Sequence, residues 1–168
     1  GSAVRFDRIN YDSRTDIWYV RANQTQALVT PVFNDMSQRI IQTVPVWRGA
    51  LEFRISNGNL VLFGSEVYPE VTQQVWTTSI TATEAATIAI QDGPASTAFH
   101  TNKQAELVIL PEEVDGQLQY SLCWKITSDT SVPRGNWVTF VNANTGGLHN
   151  VHNALRFSAI RALAKIPS

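Results

Sequence analysis

Alternation of apolar and polar positions is the dominant pattern along this chain. It is sharpest where Leu118, Tyr120, Leu122, Trp124 and Ile126 alternate with Gln119, Ser121, Cys123, Lys125 and Thr127. A period of two sets the large apolar side chains on one face of a strand. Trp137 to Asn142, β-branched and aromatic, predicts a second strand that stops at Asn144-Thr145-Gly146-Gly147. Between them Asp129 to Asn136, with Pro133 and Gly135, reads as a loop too long for a two-residue turn. Ala105 to Leu110 predicts a third strand ended by Pro111, with Asp115-Gly116 as the turn into the next. Those connections make an antiparallel meander. One helix is predicted ahead of it: Thr81-Ala82-Thr83-Glu84 has capping-box spacing, Ala85, Ala86, Ile88 and Ala89 give a small-residue face, and Asp92-Gly93-Pro94 ends it.

The first half carries a different set of elements. Ala50 to Ile55 alternates, Asn57-Gly58 supplies the positive φ angles of a tight turn, and Leu60 to Phe63 returns, broken by Gly64 and closed by Tyr68-Pro69. Arg5 to Asn10 and Ile17 to Arg21 flank Asp12-Ser13-Arg14-Thr15-Asp16 as a second hairpin. Val32 to Gln42 fits no template. A polar stretch from Val71 to Thr78, interrupted at Val75-Trp76, divides the halves.

Composition narrows the class. At 43% hydrophobic and 16% charged residues, the 168-residue chain has the material for one sizeable core or two small ones. Thirteen Lys+Arg against fourteen Asp+Glu leave no basic footprint for nucleic acid. No apolar run approaches the roughly 20 residues that span a bilayer, so neither partner is expected. Gly1-Ser2 has the form of a scar left by tag removal. The single cysteine, Cys123, excludes an internal disulfide and a cysteine-rich zinc site, and in its strand it reads as a buried thiol. Asn23-Gln24-Thr25 is a glycosylation sequon, relevant only in a eukaryotic secretory pathway.

Catalytic signatures are missing. There is no Gly-x-Ser-x-Gly elbow, no phosphate-binding Gly-x-x-x-x-Gly-Lys and no His-Glu-x-x-His. Three histidines remain. His100 is read as isolated in a polar loop. His149 and His152, spaced i, i+3, could share a metal only on a helix, and no carboxylate lies close in sequence to complete a site. Glu112-Glu113 and Asp115 read as a solvated turn with too few ligands for calcium. Trp124 and Trp137 are expected in the core; Trp18, Trp47 and Trp76 are open between core and surface roles. The expectation is a chain without enzyme activity, cofactor or metal.

Two stretches, taken together, resemble a known arrangement. Ile41-Gln42-Thr43-Val44-Pro45-Val46-Trp47-Arg48-Gly49-Ala50-Leu51-Glu52-Phe53 is similar to the core of the fungalysin/thermolysin propeptide (FTP) domain, which reads Gln, a gap, then Gly-Ile-Pro-Val-x-Gly-Gly and an alternating strand. Asn57-Gly58 to Tyr68-Pro69 matches its second strand and exit. The part from Ser79 to Gly147 resembles a PepSY domain, with Glu106-Leu107-Val108-Ile109-Leu110-Pro111, Leu118-Gln119-Tyr120 and Gly135-Asn136-Trp137 to Gly146-Gly147 as its markers. Pro45, Val46, Gly49, Gly58, Pro69, Pro111 and Gly146 are the structural signature positions that this resemblance marks. Val44 stands where the family has Gly-Ile, Trp47-Arg48 replaces a smaller residue, and the interval from Arg21 to Arg39 leaves room for only an abbreviated helix at Val32 to Ile40.

The resemblance implies an α+β fold of two small cystatin-like units, each an antiparallel sheet, the second with one clear helix packed on it. The units are an FTP-like domain at 3–72 and a PepSY-like domain at 73–148, with 149–168 as a linker toward a catalytic domain. It implies a secreted, extracellular or periplasmic propeptide of a zinc metalloprotease, acting as intramolecular chaperone and inhibitor of the catalytic domain, in cis or in trans. Within the tail, His149, His152, Asn153, Leu155 and Phe157 are the expected protease contacts. The alternatives are a free-standing extracellular PepSY-type inhibitor or peptide-binding module, and a purely structural module of a surface protein.

Overall fold

The computed structural model describes residues 2–32, 35–69, 76–93, 98–132 and 134–154, with side chains at these positions except 2 and 29–41. Four strands come first: β1 (Ser2–Asp12), β2 (Ile17–Val32), β3 (Asp35–Ser56) and β4 (Asn59–Glu66). Helix α1 (Ala82–Gln91) follows, then β5 (His100–Val114), β6 (Gln117–Ser131), β7 (Arg134–Asn142) and β8 (Leu148–Asn153). Every consecutive strand pair within each group of four is antiparallel. The groups meet where β3 and β5 pair in parallel at Val46 and Ile109.

The expectation of two separate cystatin-like units is overturned, because the strands join in a single eight-stranded sheet of order β1-β2-β3-β5-β6-β7-β8, with β4 alongside β3. The abbreviated helix at Val32 to Ile40 is also absent: among the described residues that interval belongs to β2 and β3. The residue types explain it. Leu28-Val29-Thr30-Pro31-Val32 and Ile40-Ile41-Gln42-Thr43-Val44 are β-branched runs, and Pro31 cannot sit inside a helix. The result is a long two-stranded ribbon, Thr25 opposite Pro45 and Pro31 opposite Arg39.

Strands also run further than their apolar cores suggest. Pro111 does not end β5, which continues to Val114 opposite β6; beyond Ile109 no further pairing with β3 needs an N–H from this strand. Gly64 does not break β4, which extends to Glu66. The expected loop from Asp129 to Asn136 is mostly ladder, with Asp129 opposite Asn136 and Ser131 opposite Arg134. Side chains close that end: Asn136 Nδ2 donates to Asp129 Oδ1 at 2.7 Å and Trp137 Nε1 to Thr130 Oγ1 at 3.1 Å.

The core is shared between the halves. Leu28, Val44 and Val46 from β2 and β3 pack with Leu107, Ile109, Leu122 and Ala143, and Tyr68, Trp76, Tyr120 and Trp124 border them. Next to this, Ala85 and Ala89 of α1 lie on Ile126 and Val141. Small side chains let the helix axis approach the sheet closely, which is why this face of α1 is alanine-rich. The helix begins as its sequence predicts: Glu84 N donates to Thr81 Oγ1 at 3.3 Å, and the Glu84 carboxylate accepts from Thr81 N at 2.8 Å.

Sheet β1–β4 is amphipathic by register. Phe6 lies opposite Ala22, Ile9 opposite Val20, Tyr11 opposite Trp18, Phe53 opposite Phe63 and Ile55 opposite Leu60, so all share one face. Trp18 opposite Ile55 and Val20 opposite Phe53 tie the two halves of that face together. The other face carries Arg8, Tyr19, Arg21, Glu52 and Arg54, with Arg21 Nη1 at 2.7 Å from Glu52 Oε1 and the Arg54 guanidinium 5.4 Å from the Tyr19 ring centroid. Neither face has a helix on it among the described residues.

Candidate functional site

Helix α1 covers one face of β5–β8, and the opposite face is free of it. There alternation brings up the other parity: Glu106, Val108, Leu110 and Glu112 of β5, Cys123 and Lys125 of β6, and Val138, Phe140 and Asn142 of β7. Val108, Leu110, Cys123, Val138 and Phe140 form a buried cluster under Trp47, whose ring meets Phe140 edge-on at 5.2 Å. Trp47 reaches this place because β3 turns at Arg48, which takes φ +62°, a left-handed conformation uncommon for a side-chain-bearing residue. Arg48 thus holds a backbone conformation that glycine adopts more readily. Gly49 is required for a different reason: an added Cβ would lie 2.8 Å from the Gln24 side-chain oxygen.

Polar groups line the margins of that face. Lys125 Nζ is held by the Glu106 carboxylate and sits 4.8 Å from the Trp47 ring centroid. At the other margin His149 bridges Glu112 and Asn142. Its Nδ1 lies 2.7 Å from Glu112 Oε2, and its Nε2 lies 3.0 Å from Asn142 Nδ2. A carboxylate only accepts, so Nδ1 carries the proton and Nε2 accepts from the amide. His152 stacks on Phe140 at 6.3 Å between centroids. Asn153 Oδ1 accepts from the Asn136 N–H at 3.2 Å.

The structure thus places His149, His152 and Asn153 on strand β8 rather than on a helix, so the helical i, i+3 arrangement through which the two histidines could share a metal is not formed. The chain brings Glu112 to His149 from 37 positions away, which sequence proximity could not reveal. Among the described residues no group of three or more His, Cys, Asp or Glu could hold a metal ion. Leu155 and Phe157 lie outside the described residues. His100, read as a loop residue, is instead buried at the start of β5 with Nδ1 2.9 Å from Ser128 Oγ. Cys123 is fully buried, and burial, with Glu112 nearby, pushes its thiol up to about 12, so it stays protonated and unreactive.

The signature positions have structural roles. Val46 makes the β3–β5 bridge, Pro45 precedes it opposite Thr25, and Gly58 is at φ +74° in the β3–β4 turn. The Pro69 carbonyl accepts from Tyr120 Oη at 2.8 Å. Gly146 is at φ +76° in the β7–β8 turn, with Ile80 and Ile88 3.3 Å from where a Cβ would stand. Gln24, which the sequence did not single out, is buried and clamps the chain leaving β4. It donates to Tyr68 O at 3.0 Å and accepts from Tyr68 N at 2.9 Å. Asn23 of the sequon lies in the middle of β2, paired on both sides, a poor position for a glycan in the folded chain.

Clefts are shallow. Two of about 310 and 230 Å³ flank the β3 turn and share Asn23, Pro45 and Glu106. Neither gathers a nucleophile with a base. No helix of the described residues is long and apolar enough to cross a membrane.

No family model matches the sequence, and no curated protein matches it. Among solved structures the chain is similar to the Bacillus megaterium YpeB C-terminal domain, with 13% sequence identity and a TM-score of 0.41. The likeness covers 91% of this chain and 57% of that one, so this chain spans little more than half its length. The resemblance is distant.

Proposed function

We propose that this chain is a non-catalytic protein-binding module of PepSY type, and that its partner is the catalytic domain of a secreted zinc metalloprotease, which it inhibits as a pro-region. The supporting observation is the face of β5–β8 opposite α1. It is built from ordered polar and aromatic side chains rather than a pocket, with Trp47, Lys125, His152 and the Glu112–His149–Asn142 chain around a buried apolar centre. Such a surface suits protein docking, where aromatic anchors and hydrogen-bonded polar margins set affinity and register. Among the described residues β8 is the last strand of the sheet, a position at which a partner strand can add.

The test is inhibition of a thermolysin-type zinc protease by the full chain, added in trans. The expected result is saturable inhibition, weakened at least tenfold by His152→Asp and by Trp47→Ala. Leu155→Asp and Phe157→Asp report separately on the tail. No inhibition at about 100 μM, a concentration that detects even weak complexes, overturns the reading.

A further inference from the structure

We propose that the apolar face of β1–β4 is a self-association surface, on which a second copy of this chain packs its own β1–β4 face to form a two-layer sandwich. A sheet with one apolar face is stable when that face meets another layer. Here α1 serves the other half of the molecule, and the described residues supply nothing over Phe6, Ile9, Tyr11, Trp18, Leu60 and Phe63. Phe6 is 68% exposed, Ile9 57%, Leu60 58% and Phe63 56%. From these fractions the six side chains present roughly 600 Å² to solvent, at the upper end for a monomer's largest patch and near the ~800 Å² per partner of a standard interface. Half-buried Val20, Leu51, Phe53 and Ile55 fill the ground between them.

Charge argues for a second copy over a foreign partner. The register places no Asp, Glu, Lys or Arg among these positions; the charged residues Arg8, Arg21, Glu52 and Arg54 all sit on the reverse face. With charge at its margin, where the Asp16 carboxylate accepts from Tyr11 Oη at 2.8 Å, such a face can meet its two-fold mate without like charges at its centre and demands no complementary charge there. The whole chain has a formal net charge of only -1, so long-range repulsion between copies is small. The aromatic pairs Tyr11–Trp18, 4.8 Å apart, and Phe53–Phe63, 5.3 Å apart, stand at opposite edges of the face and offer two ridges to interdigitate with a mate.

Sedimentation velocity of the full chain from about 1 to 200 μM, a range that spans weak to moderate dimers, decides the matter. A concentration-dependent shift from monomer to dimer is expected. Phe6→Asp and Phe63→Asp, each checked by circular dichroism to remain folded, should raise the dissociation constant at least 100-fold. Arg8→Ser on the reverse face should leave it unchanged. A wild-type chain that stays monomeric throughout overturns the proposal, as does a dimer insensitive to both aspartate variants. Because inhibition in trans is read on β5–β8, His152→Asp should leave the dimer intact, so the two proposals fail separately.

Discussion

At the scale of single residues, the turn of β3 is the most exposed to test. Arg48 holds a left-handed backbone that costs a side-chain-bearing residue about 1 kcal/mol, while its neighbour Gly49 has no room for a methyl group beside Gln24. The pair should respond in opposite directions to substitution. Arg48→Gly is expected to leave stability unchanged or raise it by up to ~1 kcal/mol, relieved strain being partly offset by backbone entropy. Gly49→Ala is expected to lower it by about 1–3 kcal/mol, because Gln24 is fixed by two hydrogen bonds to Tyr68 and cannot step aside. Urea midpoints of the two variants against the parent check both. Equal losses would mean that the backbone angle at Arg48 is not a source of strain.

Among the elements, α1 shows how completely a local signal can specify structure. Thr81→Ala removes the hydroxyl that accepts from Glu84 N, and should cost about 1 kcal/mol at neutral pH. The Thr81 backbone N–H, then its hydroxyl, bind the Glu84 carboxylate and hold its pKa below the ordinary glutamate value. A lowered folded value contributes stability above the unfolded pKa and loses it as pH falls through the folded one. The gap between parent and variant should therefore narrow as a melting series is taken from pH 6 into that acid window. A constant gap would show that the Thr81 hydroxyl, as distinct from the backbone N–H that the variant keeps, does not hold the carboxylate. The helix, the Asn57-Gly58 and Asp115-Gly116 turns and the β5–β7 meander were legible because their signals are local: capping spacing, turn dipeptides, period-two alternation. Strand β8 was not, since Leu148-His149-Asn150-Val151-His152-Asn153 has little apolar alternation and is ordered by its partner β7. Nor was the candidate site. Lys125 sits at a position that reads as the polar face of β6, and only the return of Trp47 from the other half brings an aromatic ring over it.

For the whole molecule, the shared core predicts joint unfolding. Val46 belongs to β3 yet packs with Leu107, Ile109 and Leu122. Val46→Ala should cost roughly 1–3 kcal/mol and lower hydrogen-exchange protection in β1–β4 and β5–β8 together. Loss confined to one group would show that the two halves of the sheet open independently. The sheet as a whole was misjudged from sequence because its joint is a single parallel residue pair, Val46 with Ile109, from distant segments. Nothing in either residue type says that it pairs with the other. That joint also fixes an order of events during synthesis. A nascent chain leaving the ribosome can complete β1–β4 through local hairpins well before Ile109 has been made. Until β5 arrives, Val44 and Val46 stand uncovered beside the apolar face of the same sheet. The hazardous interval for aggregation is thus the translation of residues 67–109, and slowing the ribosome there should raise the demand for chaperones.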